Sequence, residues 1–268
     1  MLPARNPARN GSFAKGGVMK IALVTGGSRG LGKSMCLHLA QQGCDIILTY
    51  REKAAEAKAV VESIEEMGGK AAALPLDVSR SADFPAFAEA VGETLRTVFL
   101  REDFNFLVNN AGYGLGAPFA ETTADQFDQM VAVHYKAAFF LSQTLLPKLR
   151  DGGRIVNISS GLTRFSLPGY AAYAAAKGAV EVLTRYMAKE LGPRGITVNV
   201  LAPGAIATDF GGGKVRDDAN INAFVASQTA LGRVGQPDDI GAALALLLDD
   251  DAGWITGQRI EVSGGMFL

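Results

Sequence analysis

Two hydrophobic periods alternate along the chain. Short, largely apolar runs at 21–25, 45–49, 71–76, 104–109, 153–159, 197–201 and 259–262 read as strands. Between them, apolar residues recur every three or four positions: from the glycine-rich turn to about Gln42, then over 52–67, 82–99, 124–149, 170–191 and 237–249. These stretches read as helices, and their punctuation agrees. Gly43 ends the first, Gly68-Gly69 the second and Gly192-Pro193 the fifth, while Pro237 opens the last. Strands that are apolar throughout imply a sheet covered on both faces. Strand–helix alternation implies parallel pairing with right-handed crossovers. The expected fold is α/β, a doubly wound parallel sheet in three αβα layers, formed by one domain over residues 19–268. A ligand of such a sheet lies at the carboxyl ends of the strands, near the reversal of strand order.

Residues 1–18 break the pattern. They are rich in Pro, Arg, Asn and Gly, carry no apolar run, and are expected to be a flexible arm, with Met19 an alternative start. They do not have the apolar stretch of a secretory signal. The 48% apolar and 20% charged composition supports a substantial core rather than disorder. Lys plus Arg number 26 against 27 Asp plus Glu, a net charge of −1, which argues against nucleic acid or a polybasic membrane surface as partner. No apolar run approaches the roughly 18 residues that span a bilayer. Two cysteines and two histidines supply neither a disulfide framework nor a zinc site, so no metal is expected. Cys36 and Cys44 fall within apolar patterns as core thiols, and a cytoplasmic location is expected.

Chemistry enters at the first strand–helix turn, Thr25-Gly26-Gly27-Ser28-Arg29-Gly30-Leu31-Gly32. Glycines there permit close backbone approach to a pyrophosphate, and the helix start offers free N–H groups. The spacing G-x3-G-x-G differs from the common dinucleotide fingerprint, and no Gly-Lys-Ser/Thr completes a P-loop. That fingerprint expects a carboxylate at the end of the second strand to bind ribose hydroxyls. Here the strand runs into Tyr50-Arg51, so Arg51 and Arg29 are expected to converge on a 2′-phosphate, favouring NADP(H) over NAD(H). Farther along, Tyr173 and Lys177 stand four apart on one helix face, with Ser160 at the end of the fifth strand. An ammonium beside a phenol lowers its pKa from about 10, as a catalytic tyrosine needs.

Taken together, T-G-x3-G-x-G at 25–32, Asp77-Val78, Asn109-Asn110-Ala111-Gly112, Ser160, Tyr173-x3-Lys177 and Pro203-Gly204 resemble the short-chain dehydrogenase/reductase family from about Lys20 to the C-terminus. Within it the chain most resembles the 3-oxoacyl-[acyl-carrier-protein] reductase-like ketoreductases. The resemblance implies a Rossmann fold and an NADP-dependent enzyme acting on CH–OH groups. It implies cofactor contacts from Gly26, Ser28, Arg29, Gly30, Leu31, Gly32, Tyr50 and Arg51, and from Asp77 and Val78 at the adenine. Asn110, Ala111 and Gly112 would flank the ribose, with Pro203, Gly204, Ile206 and Thr208 at the nicotinamide and diphosphate. Ser160 would bond the substrate oxygen and Tyr173 would deliver a proton. Lys177 would bond the ribose and tune the tyrosine. Asn199 is expected to be structural.

One position departs from the family. Where most members carry Asn in a V-N-x-K pattern, this chain reads Val133-His134-Tyr135-Lys136. His134 either joins the proton relay, by hydrogen bonding and titration near neutral pH, or only preserves local helix geometry. The three glycines in 209–229 are expected to make a mobile lid. Tyr113, Leu162, Phe165, Leu167 and Phe210 are candidate pocket residues, and Arg164, Lys214 and Arg216 candidate contacts for an acyl carrier. The expected partner is a small carbonyl or alcohol, and the helices at 124–149 and 170–191 are expected to pair subunits in a homo-oligomer, a tetramer or dimer. The leading expectation is reduction of a ketone or aldehyde, including a 3-oxoacyl thioester. The alternatives are an alcohol or sugar dehydrogenase in the oxidative direction and a non-catalytic NADP-binding sensor.

Overall fold

The computed structural model describes residues 19–268, so the arm expected over 1–18 lies outside the described residues. Seven strands form one sheet: β1 (Ile21–Val24), β2 (Asp45–Tyr50), β3 (Ala71–Pro75), β4 (Phe104–Asn109), β5 (Leu149–Ile158), β6 (Thr197–Pro203) and β7 (Arg259–Val262). They lie in the order β3-β2-β1-β4-β5-β6-β7, and each adjacent pair is parallel. The order reverses between β1 and β4, which opens a crevice at their carboxyl ends. The helices are α1 (Gly30–Gln41), α2 (Ala54–Glu66), α3 (Phe84–Thr94), α4 (Ala124–Met130), α5 (Ala137–Leu145), α6 (Ala171–Leu191), α7 (Lys214–Asp217), α8 (Ala219–Ser227) and α9 (Pro237–Leu248).

The continuous apolar strands serve two cores. Ala22, Val24, Ile46 and Leu48 pack toward Met35 and Leu39 of α1 and Ile240 and Leu244 of α9. Their neighbours Ile21, Leu23 and Ile47 point the other way, toward Phe84 and Val91 of α3 and Leu141 and Leu145 of α5. Successive side chains leave a strand on opposite faces, so a sheet covered on both sides needs apolar residues at every position. Burial of each large side chain contributes roughly 1.5–3 kcal/mol. Cys36 and Cys44 are buried free thiols in the first core, and burial raises both pKa values.

The long helix expected over 124–149 is divided. A capping box between Thr123 and Gln126 starts α4; a π turn at Val131–Lys136 then separates it from α5. Pro147 lies in the closing 3₁₀ turn, where its ring bars further helix, and β5 begins at Leu149, four residues before the expected start. A second π turn, Leu95–Phe99, ends the helical stretch begun by α3. The expected lid folds as a 3₁₀ turn at Phe210–Gly213 followed by α7 and α8, with the Asp218 carboxylate accepting from the Asn220 and Ile221 amides. Among the described residues, no helix is long and apolar enough to cross a membrane.

Candidate active site

The glycine turn lies at the end of β1, clamped from the neighbouring strand ends. The Asn110 side chain donates to the Thr25 and Gly26 carbonyls at 2.8 and 3.3 Å. Thr25 Oγ1 accepts from the amides of Asn110 and Ala111, and the Gly26 amide donates to Thr49 Oγ1. Space is exhausted behind the turn: a Cβ on Gly32 would stand 2.1 Å from the Gly26 carbonyl oxygen. Arg29 is the N-cap of α1 but makes no side-chain cap, and the first turn contains no acid. The helix therefore presents its first N–H groups and partial positive charge without internal neutralisation. Such a cradle fits a diphosphate. Thr208 lines its rim, 3.8 Å from where a Gly30 Cβ would be.

At the far end of the crevice, both bonds from Ser79, amide and hydroxyl, fall on Asp77 Oδ1, leaving Oδ2 placed to accept from an amine. Arg51 lies close enough to act on the Asp77 charge and pairs with Glu52 at 3.0 Å. Arg29 pairs with Asp209, at the start of the lid, 3.1 Å away. The two arginines expected to converge are thus each paired with a carboxylate. Pro203 ends β6, the Gly204 amide donates to the Val262 carbonyl, and Ile206 bridges to Gly235. Asn199 is structural, as expected: it bonds Ile255 and Gln258.

Ser160, Tyr173 and Lys177 come together where β5 meets α6. Tyr173 and Lys177 are both only 5% exposed. Lys177 Nζ donates to the Ile158 carbonyl at 2.6 Å and lies 5.8 Å from the Tyr173 ring centre. Burial pushes the Tyr173 phenol up to about 12, against the downward pull of its bond to Ser160. The same burial lowers Lys177 to about 7. The expected lowering of the phenol is reversed here because desolvation outweighs the pull of Ser160.

His134 lies within the π turn at Val131–Lys136, its ring edge-on to Tyr173 at 4.9 Å. Nε2 is 2.8 Å from the Tyr113 carbonyl, an acceptor only, so Nε2 carries the hydrogen. Burial, reinforced by the Lys177 charge, pushes the imidazole down to about 3. At neutral pH the ring is neutral and Nδ1 is a bare acceptor, buried and without a protein partner. Titration near neutrality, one of the two expected roles, does not survive this environment. A cavity of about 10 Å³, roughly the size of one water, lies among His134, Lys177 and Asn109. Gly112 is matched to the imidazole: a Cβ there would stand 2.5 Å from His134 Cε1.

Of the candidate pocket residues, Phe210 packs 5.5 Å from the Tyr173 ring, and its ring fills the space a Gly114 Cβ would occupy. Tyr113 lies beyond His134, at 6.4 Å between ring centres. Phe165 instead packs on Phe267, within the small cluster of Val225, Val234 and Met266. Arg164 is engaged by Glu261 and two C-terminal carbonyls, and Arg216 by Asp209 and Asp217. Neither presents a free cation to a carrier protein. Sequence reasoning missed Tyr170, 6.5 Å from Tyr173, and the clamps Thr25 and Thr49. Tyr170 was legible as an aromatic one turn from the tyrosine; the clamps carry no signal without the fold.

A family model described as enoyl-(acyl carrier protein) reductase matches residues 26–267. An uncharacterised oxidoreductase of Methylorubrum extorquens is 38% identical over 247 residues, 92% of this chain and 97% of the relative. The tetrahydroxynaphthalene reductase PfmaG of Pestalotiopsis fici is 34% identical, covering 92% of this chain and 91% of its own. The crystal structure of the angucycline C-6 ketoreductase LanV with bound NADP superposes with a TM-score of 0.89 at 35% identity, over 96% and 97% of the two chains. The chain belongs to the short-chain dehydrogenase/reductase family of oxidoreductases, with the Rossmann fold of that family.

Proposed function

We propose that this protein reduces a ketone on a cyclic, aromatic-bearing substrate to an alcohol, with NADPH as hydride source. The observation that carries the reading is the buried Tyr173 hydroxyl, close enough to Ser160 for that hydroxyl to act on its titration, with Lys177 one turn along the same helix, beside an uncapped glycine turn. The nicotinamide, when bound, supplies the hydride that goes to the carbonyl carbon. As negative charge grows on the carbonyl oxygen, Ser160 donates a hydrogen bond to it and Tyr173 transfers its proton. A phenol near pKa 12 holds that proton throughout the neutral range. The nascent alkoxide is the stronger base, so the transfer is downhill.

The glycine turn with Ser28 and Leu31 would hold the diphosphate, Asp77 and Val78 the adenine, and Asn110, Ala111, Gly112, Tyr173 and Lys177 the nicotinamide side, with Pro203, Gly204, Ile206 and Thr208. Arg51, with Tyr50, is the assigned reader of the 2′-phosphate because it already lies beside Asp77. Arg29 joins it only by releasing Asp209. His134 acts as a neutral acceptor that orders one water next to Lys177, which keeps the amine oriented. The aromatic collar of Tyr113, Tyr170 and Phe210 supports a flat ring substrate, as do the names of the two relatives, one a tetrahydroxynaphthalene reductase and the other an angucycline ketoreductase. The internal pairing of Arg164 and Arg216 weighs against a carrier-bound 3-oxoacyl thioester. Phe139 of α5 and Val182 and Tyr186 of α6 form an exposed apolar face along one groove, which supports pairing of two copies there and a homo-oligomer, dimer or tetramer. The absence of a membrane-crossing helix among the described residues, together with two free buried thiols, supports a cytoplasmic enzyme.

The test is NADPH oxidation with tetralone-type and other carbonyls, for wild type and Tyr173→Phe. Turnover should fall by about 10²–10⁴-fold in the variant with NADPH affinity kept. Equal turnover in both proteins would remove Tyr173 from the chemistry. Tight NADPH binding without turnover on any carbonyl would favour the sensor reading.

A further inference from the structure

We propose that Glu181 is a positioning residue that holds the Ser160 loop in register with Tyr173, an inference that rests on the catalytic reading above. Tyr173, Lys177 and Glu181 are spaced by four and share one face of α6. The first two face the cleft. The third reaches the loop that carries the serine: Glu181 Oε1 accepts from Ser159 Oγ at 2.7 Å, Thr163 Oγ1 at 2.7 Å and Arg259 Nε at 2.8 Å. Ser159 immediately precedes Ser160, and Thr163 closes the 3₁₀ turn for which Ser160 is the N-cap. Thr163 Oγ1 is also 2.9 Å from the Ser160 carbonyl, but a hydroxyl has one proton and the carboxylate is the stronger acceptor. Arg259, from β7, completes the grip by donating to the Ser160 carbonyl at 3.3 Å and to Thr163 Oγ1 at 3.2 Å.

One carboxylate therefore gathers both flanks of the serine and the arginine that holds its backbone. The side chains of Glu181 and Arg259 are 14% and 24% exposed, so the pair is shielded enough to hold its geometry. Beyond Arg259 the network continues through Glu261, held near pKa 2 chiefly by Arg164, to the Met266 and Phe267 carbonyls. The consequence is mechanical. The helix that carries the proton donor also fixes the loop that carries the hydrogen-bond donor, so the two hydroxyls are held at one spacing. Loss of such alignment by a fraction of an ångström is costly to the chemical step and nearly neutral to binding.

The experiment compares Glu181→Gln, the double variant Ser159→Ala/Thr163→Val, their combination and Ser160→Ala, each in the full chain. Glu181→Gln should lower kcat by about 10–100-fold while the KM for the carbonyl and the NADPH affinity change less than about threefold. The combination should cost little more than the worse of its parts, because the residues act as one unit. Hydrogen exchange, read without any substrate, should accelerate at residues 159–165 in Glu181→Gln and stay unchanged along 171–191. Unaltered exchange at 159–165, or a lowered Tm with kcat unchanged, would overturn the proposal and leave the network a brace. Ser160→Ala separates the two readings: a dead Ser160→Ala with a wild-type Glu181→Gln removes only Glu181, whereas an active Ser160→Ala removes the catalytic reading itself.

Discussion

Two glycine-rich segments flank the crevice, at 26–32 and at 211–213, and they need glycine for largely different reasons. In the first, Gly26, Gly27 and Gly32 leave a side chain no room. A Cβ on Gly32 would collide with the Gly26 carbonyl, and one on Gly27 would stand 2.7 Å from Leu48 Cβ. In the second, Gly211 and Gly212 have room and it is the backbone of all three residues that is unusual, a demand the first segment shares only at Gly26 and Gly30. Gly211, Gly212 and Gly213 have φ of 62, 78 and 77°, and a Cβ on Gly212 would meet nothing within 4 Å. The first segment is built for close approach to a ligand. The second is built to turn the chain sharply, and so to aim Phe210 at Tyr173. Glycine counts alone do not distinguish a cradle from a hinge; the surroundings do.

The sharpest way to break this contrast is Gly32→Ala. With 2.1 Å to the Gly26 oxygen and 2.7 Å to Asn110 Nδ2, the methyl must push the turn off its clamp. Binding of NADPH, followed by its fluorescence, should be lost, with stability lowered by about 1–3 kcal/mol. Retained binding would mean that the turn has slack. The second effect concerns His134, buried edge-on to Tyr173. Unfolded, it protonates below about pH 6.5; folded, burial delays that to about 3. Between those values the unfolded state binds more protons, so acidification destabilises the fold, and stability returns as pH rises to neutrality. From pH 6.5 to 5 the loss from His134 alone is about 1.6 kcal/mol, and most carboxylates titrate below that window. Denaturant titrations at both pH values should show this loss in wild type and not in His134→Gln.

The contrast also marks how far the amino-acid pattern reaches. The sheet was legible because β1 and the centre of β2, Ile46–Leu48, are apolar at consecutive positions and helical periods alternate with the strands. The cradle was legible because its chemistry lies within eight consecutive residues. The π turn around His134 was not, since one widened turn leaves a three-to-four spacing of apolar residues undisturbed. The pairing of Arg29 with Asp209 joins residues 180 apart, and that of Glu181 with Arg259 joins residues 78 apart, so no local pattern announces either. Desolvation of Tyr173 was equally hidden: a helix face can be read from spacing, whereas the depth at which it is buried depends on the π turn, the lid and β5 together.

Smaller effects test the hinge side. Gly212→Ala forces an alanine into a left-handed conformation at a cost of about 1–2 kcal/mol, with no collision to add to it. The expected outcome is a modest fall in Tm, a raised KM for the carbonyl as Phe210 is re-aimed, and unchanged NADPH affinity. A change in cofactor affinity as large as that of Gly32→Ala would erase the distinction between cradle and hinge.

Smallest is the link between the two segments, the pair of Arg29 with Asp209. Both side chains are about half exposed, 56% and 49%, and Asp209 also serves Arg216, so the pair contributes less than about 1 kcal/mol. Asp209→Asn should therefore barely move Tm. Its effect belongs to the cofactor: freeing Arg29 from the lid leaves the guanidinium available to a phosphate, so NADPH should bind a few-fold tighter at low salt. The gain should fade by about 0.5 M salt, where the Debye length has shrunk below the reach of an exposed pair. NADH binding read in parallel decides which phosphate Arg29 meets. A gain for NADPH alone places Arg29 at the 2′-phosphate beside Arg51; an equal gain for both cofactors places it at the diphosphate and leaves Arg51 to discriminate. No change for either would mean that the lid, and not Asp209, keeps Arg29 out of the crevice.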